Sequence, residues 1–136
     1  MRSCIRSLVL AVIIFLVPVI TAEAADEASG KKVFSRCSSC HNLTDKKLIG
    51  PGLQGLFGRK AGSVEGYNYS DDFKALGEKG LIWNDETFLA FIQDPHSYVA
   101  TTLNKEKIKT RKPKSKLDKD KAEDLLLYLK KATSGS

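Results

Sequence analysis

Hydrophobic positions along the chain form one long apolar run, one clear helical stripe and several short mixed segments. The run is "SLVLAVIIFLVPVI", residues 7–20, with Arg2 and Arg6 before it and Ala22-Glu23-Ala24 after it. A basic start, an apolar middle and an A-x-A end predict a secretory signal over residues 1–24. The run is too short and too early for an ordinary spanning helix. Retention as an uncleaved membrane anchor is the alternative. Cleavage after Ala24 leaves residues 25–136 as a single domain.

Within that domain the stripe is strongest in "DKDKAEDLLLYLKKAT", where Ala122, Leu125, Leu126 and Leu129 recur at helical spacing. Asp118 is placed to cap this helix, and Lys130–Lys131 suit its C-terminal end. Residues 27–38, "EASGKKVFSRCS", predict a short helix. Gly30 is its odd member, because a helical glycine costs roughly 1 kcal/mol against alanine and needs a packing reason. "NLTDKKLIGPGLQGLFGRKAG" is broken by glycines and Pro51 and predicts a loop. Short helices are expected near Ser70–Ala75 and over Asp85–Gln93. The second has Asn84 as N-cap and ends before Pro95. Residues 97–117 predict a long connection with little regular structure. No run alternates as a strand does, so the fold class is all-α with much irregular chain.

Charge changes the picture in one place. The chain carries a formal +6; removing Arg2, Arg6 and Glu23 with the signal leaves +5. The excess is concentrated in "KEKIKTRKPKSK", with Lys105, Lys107, Lys109, Arg111, Lys112, Lys114 and Lys116. Such a patch attracts an acidic protein, an anionic membrane surface or nucleic acid. Export argues against nucleic acid, and no nucleic-acid motif is present. A solvated loop without a specific partner is the other reading.

Candidate chemistry sits in "CSSCH", residues 37–41. Cys4 precedes the apolar run and is given no role. C-x-x-C-H is the attachment pattern for c-type haem. Two thiols can add across the two vinyl groups, and the two-residue spacing places both along one edge of the macrocycle. His41 then ligates iron as the proximal histidine. A redox dithiol would need a βαβ context. Zinc would need four ligands, and His96 is the one further usual nitrogen or sulfur donor. The residues favour haem, which would also supply much of the core that so few apolar side chains cannot.

"GKKVFSRCSSCH", "GPGLQGLFGRKAG", "GYNYSDDFKALGEKGLIWNDETFLAFIQDP" and "AEDLLLYLKKAT" occur in that order. Together they make the chain resemble the class I, mono-haem cytochromes c from about Glu27 to Thr133. The resemblance implies short helices and long loops wrapped around one covalent haem c. It implies that Cys37 and Cys40 carry the haem, that His41 binds iron, and that Pro51 offers its carbonyl to the free ring nitrogen of His41. It implies that Gly30 and Phe34 pack against the last helix near Leu126 and Tyr128, and that Arg59, Tyr69 and Trp83 bond the haem propionates. An exposed Arg59 and ordinary core aromatics are the plainer reading of those three.

The family's distal methionine comes from a Thr-x-Met-Pro-type segment. Here Thr110-Arg111-Lys112-Pro113 stands in its place, and the sole methionine is Met1. Lys112 is therefore the expected distal ligand, through a neutral amine. A free lysine has a pKa near ~10.4, so iron and protons compete for it. Loss of a methionine ligand should lower the potential. Open or water-bound iron is the second possibility. His96 is the third, placed by the family pattern outside the pocket. Lys105, Lys107, Lys109 and Lys114 are rival cations, and Asn104 has a weak claim. Phe91 stands where many relatives carry a tyrosine. The expected function is an exported, monomeric, periplasmic electron carrier, not an enzyme. It would dock acidic redox proteins or membrane-bound redox complexes, and would itself touch a membrane only if the signal is retained. The alternative is a haem protein with an open distal site that binds small gases or anions or reacts with peroxide.

Overall fold

The computed structural model describes residues 24–114 and 116–134. The expected signal lies outside these except for Ala24. Five helices follow one another: α1 Glu27–Phe34, α2 Asp71–Glu78, α3 Asp85–Gln93, α4 Pro95–Leu103 and α5 Lys119–Thr133. Among the described residues there is no strand, only an isolated antiparallel bridge between Lys60 and Ile82. None of the described helices is long and apolar enough to cross a membrane.

α1 and α5 pack together. The reason for Gly30 is visible there: a Cβ at that position would lie 2.0 Å from the Asp124 carbonyl oxygen and 2.7 Å from the Tyr128 Cβ. The two helices touch backbone to backbone, which a side chain forbids. Phe34 and Tyr128 meet with ring centroids 5.6 Å apart, and Leu126 packs at the edge of the core. The Asp26 backbone N–H donates to Asp124 at 2.6 Å. Ala122, Leu125 and Leu129 turn the stripe of α5 into the core. Asp118 caps α5 by accepting the Lys121 N–H at 3.0 Å.

α3 has the predicted bounds. Asn84 and Thr87 form a reciprocal capping box at its start. Three expectations are corrected. The first helix ends at Phe34 rather than continuing to residue 38, and the chain goes on in tight turns through Cys40. The connection over 97–117 is not irregular throughout, because α4 occupies its first part. Asp94 caps α4 by accepting the Ser97 N–H at 3.1 Å, Pro95 starts it, and Asn104 ends it in the left-handed region at φ 55°. Pro95, Val99 and Leu103 form its buried face at intervals of four. α2 runs past the expected Ala75 to Glu78.

Candidate haem site

The turn after α1 positions the attachment motif. The Cys37 N–H donates to the Phe34 carbonyl at 2.7 Å, and the Cys40 and His41 N–H groups donate to the Cys37 carbonyl at 3.0 and 2.9 Å. These bonds coil residues 37–41 so that Cys37, Cys40 and His41 face one cavity of about 420 Å³. The thiols are free and half-buried. Burial raises the pKa of Cys37, and the nearby Lys112 charge opposes this.

His41 is fixed on its other side. Its Nδ1 lies 3.0 Å from the Pro51 carbonyl oxygen. A carbonyl only accepts, so Nδ1 carries the proton and Nε2 keeps its lone pair for a metal. Gly50 lets the backbone press on the ring: a Cβ there would lie 2.4 Å from the imidazole Cε1. Burial lowers the pKa of His41; the Pro51 bond acts against this, and the Lys112 and Arg59 charges add to it.

Pro51, Arg59, Tyr69, Trp83 and Lys112 line the same cavity. Arg59 sits beside Trp83 because the Trp83 N–H donates to the Arg59 carbonyl at 2.9 Å. Its guanidinium donates to the carbonyls of Gln54 at 3.0 Å and Gly52 at 3.1 Å. Burial lowers its pKa. Among the described residues no carboxylate pairs with it, so the wall presents a half-buried cation suited to an anionic group such as a propionate. The Tyr69 hydroxyl is bonded by the Val64 backbone, and burial raises its pKa. Trp83 and Phe91 stack edge to face at 5.1 Å, and Phe73 links both to Tyr69. Leu53, Leu56, Phe88, Ile92, Leu125 and Leu129 complete an apolar wall. The donor set fits a covalent haem: two thiols and an imidazole at one side, a greasy interior, and one cation with polar aromatics. Among the described residues no group of three or more His, Cys, Asp or Glu is arranged to hold a metal ion.

The cavity is walled at residues 110–113 by Thr110, Arg111, Lys112 and Pro113. His96 does not line it. Its Nε2 lies 3.0 Å from the Lys112 carbonyl oxygen instead. Of the rival cations, Lys105 pairs with Asp72, and Lys105, Lys107, Lys109 and Lys114 do not line the cavity, nor does Asn104. Sequence reasoning missed Tyr67, which lines the cavity and donates to the Ile49 carbonyl at 2.8 Å. Its place beside Tyr69 in "GYNYS" was the available signal.

The Cytochrome c family profile matches residues 27–133. Cytochrome c2 of Blastochloris viridis is 36% identical over 128 residues, covering 92% of this chain and 92% of that protein. Cytochrome c2 of Rhodovulum adriaticum is 33% identical over 115 residues, covering 78% of this chain and 91% of that protein. The solved structure of cytochrome c2 from Rhodospirillum centenum superposes with a TM-score of 0.74 at 35% identity, covering 82% of this chain and all of that one. The chain belongs to the cytochrome c family: it is a class I cytochrome that carries one covalently attached haem c and passes electrons rather than turning over a substrate.

Proposed function

We propose that this cytochrome is an exported, periplasmic electron carrier of low potential, with its haem attached at Cys37 and Cys40 and its iron held between His41 and Lys112. The haem supplies a one-electron Fe(III)/Fe(II) couple. The chain supplies the rest. The His41 N–H to Pro51 bond fixes which ring nitrogen is available and how the ring is turned. Arg59, Tyr69 and Trp83 receive the propionate edge. The apolar wall excludes water.

The observation that carries the distal assignment is the position of Lys112. It lines the cavity with His41 and the cysteines, and its charge is felt at both His41 and Cys37. The Lys112 N–H donates to the Thr110 hydroxyl at 3.1 Å, so the backbone there is held. An amine is a harder donor than a thioether and favours ferric iron, which lowers the potential a methionine would raise.

Docking uses the lysine-rich surface beside the cavity. Ile49, 74% exposed, lines the mouth, and Lys107, Lys114 and Lys116 add positive charge nearby in sequence. An acidic redox protein, or an acidic face of a membrane-bound redox complex, is steered to this surface, so association should weaken as salt rises. The signal over residues 1–24 is cleaved, leaving 25–136 as a monomeric domain.

Spectroscopy of ferric holoprotein near neutral pH tests the ligand. A low-spin spectrum that turns high-spin in Lys112→Ala is expected. A high-spin spectrum in the parent protein, unchanged by the substitution, would replace this reading with an open distal site that takes small gases or anions.

A further inference from the structure

The carboxylate of Asp72 is buried in the first turn of α2, its side chain 6% exposed. A carboxylate that gives up water must recover its hydrogen bonds inside the protein. Both oxygens are engaged, and both partners come from one stretch 33 and 37 residues along the chain. Oδ1 takes the Lys105 ammonium, and Oδ2 accepts the Lys109 backbone N–H. An acidic residue in a first helical turn ordinarily faces its own helix N-terminus. Asp72 instead spends both oxygens on another segment, although the α2 N-cap, Ser70, makes no side-chain cap bond of its own.

The placement of the two partners is what matters. Lys105 follows the left-handed cap of α4 at Asn104. Lys109 immediately precedes the four residues that wall the haem cavity. One carboxylate thus ties down both ends of residues 105–109, and residues 110–113 extend from the second tie. We propose that Asp72 is a positioning residue for the distal side: it keeps the segment bearing Lys112 closed over the haem and sets how often that segment opens to admit a foreign iron ligand. This role rests on residues 110–113 covering the haem, and holds whether Lys112 or water meets the iron. A charge-assisted bond lost in a buried place costs more than a neutral one, so removing the tie should favour the open segment.

Ferric holoprotein is mixed with imidazole, a small neutral iron ligand, and the limiting binding rate is measured. Hydrogen exchange is followed alongside by mass spectrometry over residues 105–113 and over α1 and α5. Asp72→Asn removes the charge pair; Lys105→Met removes only the ammonium of a half-exposed side chain and should leave the domain folded. Both should raise the limiting rate, Asp72→Asn by about tenfold. Both should speed exchange in 105–113 while α1 and α5 keep their protection. Unchanged exchange over 105–113 in Lys105→Met, or protection lost equally from α1 and α5, would overturn the role. If Lys112→Ala leaves the ferric spectrum unaltered, the lysine ligand fails alone, and the exchange contrast still decides for or against Asp72.

Discussion

The imidazole of His96 donates from Nε2 to the backbone carbonyl of Lys112 across 3.0 Å. Histidine, chemically the better iron ligand of the two, is thus engaged with the Lys112 backbone and does not line the cavity. His96→Leu should keep the low-spin ferric spectrum while leaving the Lys112 carbonyl short of a donor. The expected loss of stability is about 1 kcal/mol, read from denaturant unfolding of the holoprotein. A high-spin spectrum in His96→Leu, with Lys112→Ala unaltered, would move the ligand role to His96.

Lys112→Met introduces the thioether that the resemblance to class I cytochromes implies for this position. The thioether stabilises ferrous iron relative to an amine. The midpoint potential should rise in Lys112→Met compared with the parent, as measured by redox titration. An unchanged potential would mean that residue 112 does not reach the iron.

At Gly30 the test is steric. Even a methyl group would collide with the Asp124 carbonyl at 2.0 Å, and backbone cannot swing aside as a side chain can. Gly30→Ala should push α1 from α5 and destabilise the holoprotein by about 1 to 3 kcal/mol, despite alanine's better helix propensity. A stabilised variant would show that the two helices adjust without strain.

Asp94 predicts an acid limit. It accepts from Lys116 and from Ser97, and these bonds hold its carboxyl down at about 2. Its folded pKa is thus below the unfolded value of 3.8. The stability it contributes is fully present above that value and is lost as pH falls through the folded one. The gap in stability between parent protein and Asp94→Asn should be constant near neutral pH and close between about pH 4 and 2. A gap that persists at the acid end would mean the ion pair is not its source.

Much of this arrangement could be read from local pattern. Asn84, Asp118 and the stripe through Leu125 and Leu129 specify α3 and α5 because capping and periodicity are properties of neighbours in the chain. The attachment motif needs only five consecutive residues. α4 was hidden because Val99, Thr101 and Thr102 are poor helix formers, although Asp94-Pro95 and Asn104 were legible start and stop signals. Contacts that join distant parts of the chain were not legible. Nothing near Asp72 announces Lys105 and Lys109, and nothing near His96 announces the Lys112 carbonyl. Such pairings depend on where α2 and α4 come to rest, which is decided by packing rather than by local propensity. Gly30 stands between these cases: its oddity inside a helix was visible, while the Asp124 backbone that explains it lies far along the chain.

The close seat of α1 on α5 also has a bearing on biosynthesis. The partner of α1 is made only after nearly all of the intervening domain. Until it arrives, the amino-terminal helix lacks the Asp124 backbone against which Gly30 seats. The contact between the first and last helices therefore closes a loop of nearly the whole domain, a pairing that neither helix can make from its own neighbours in sequence.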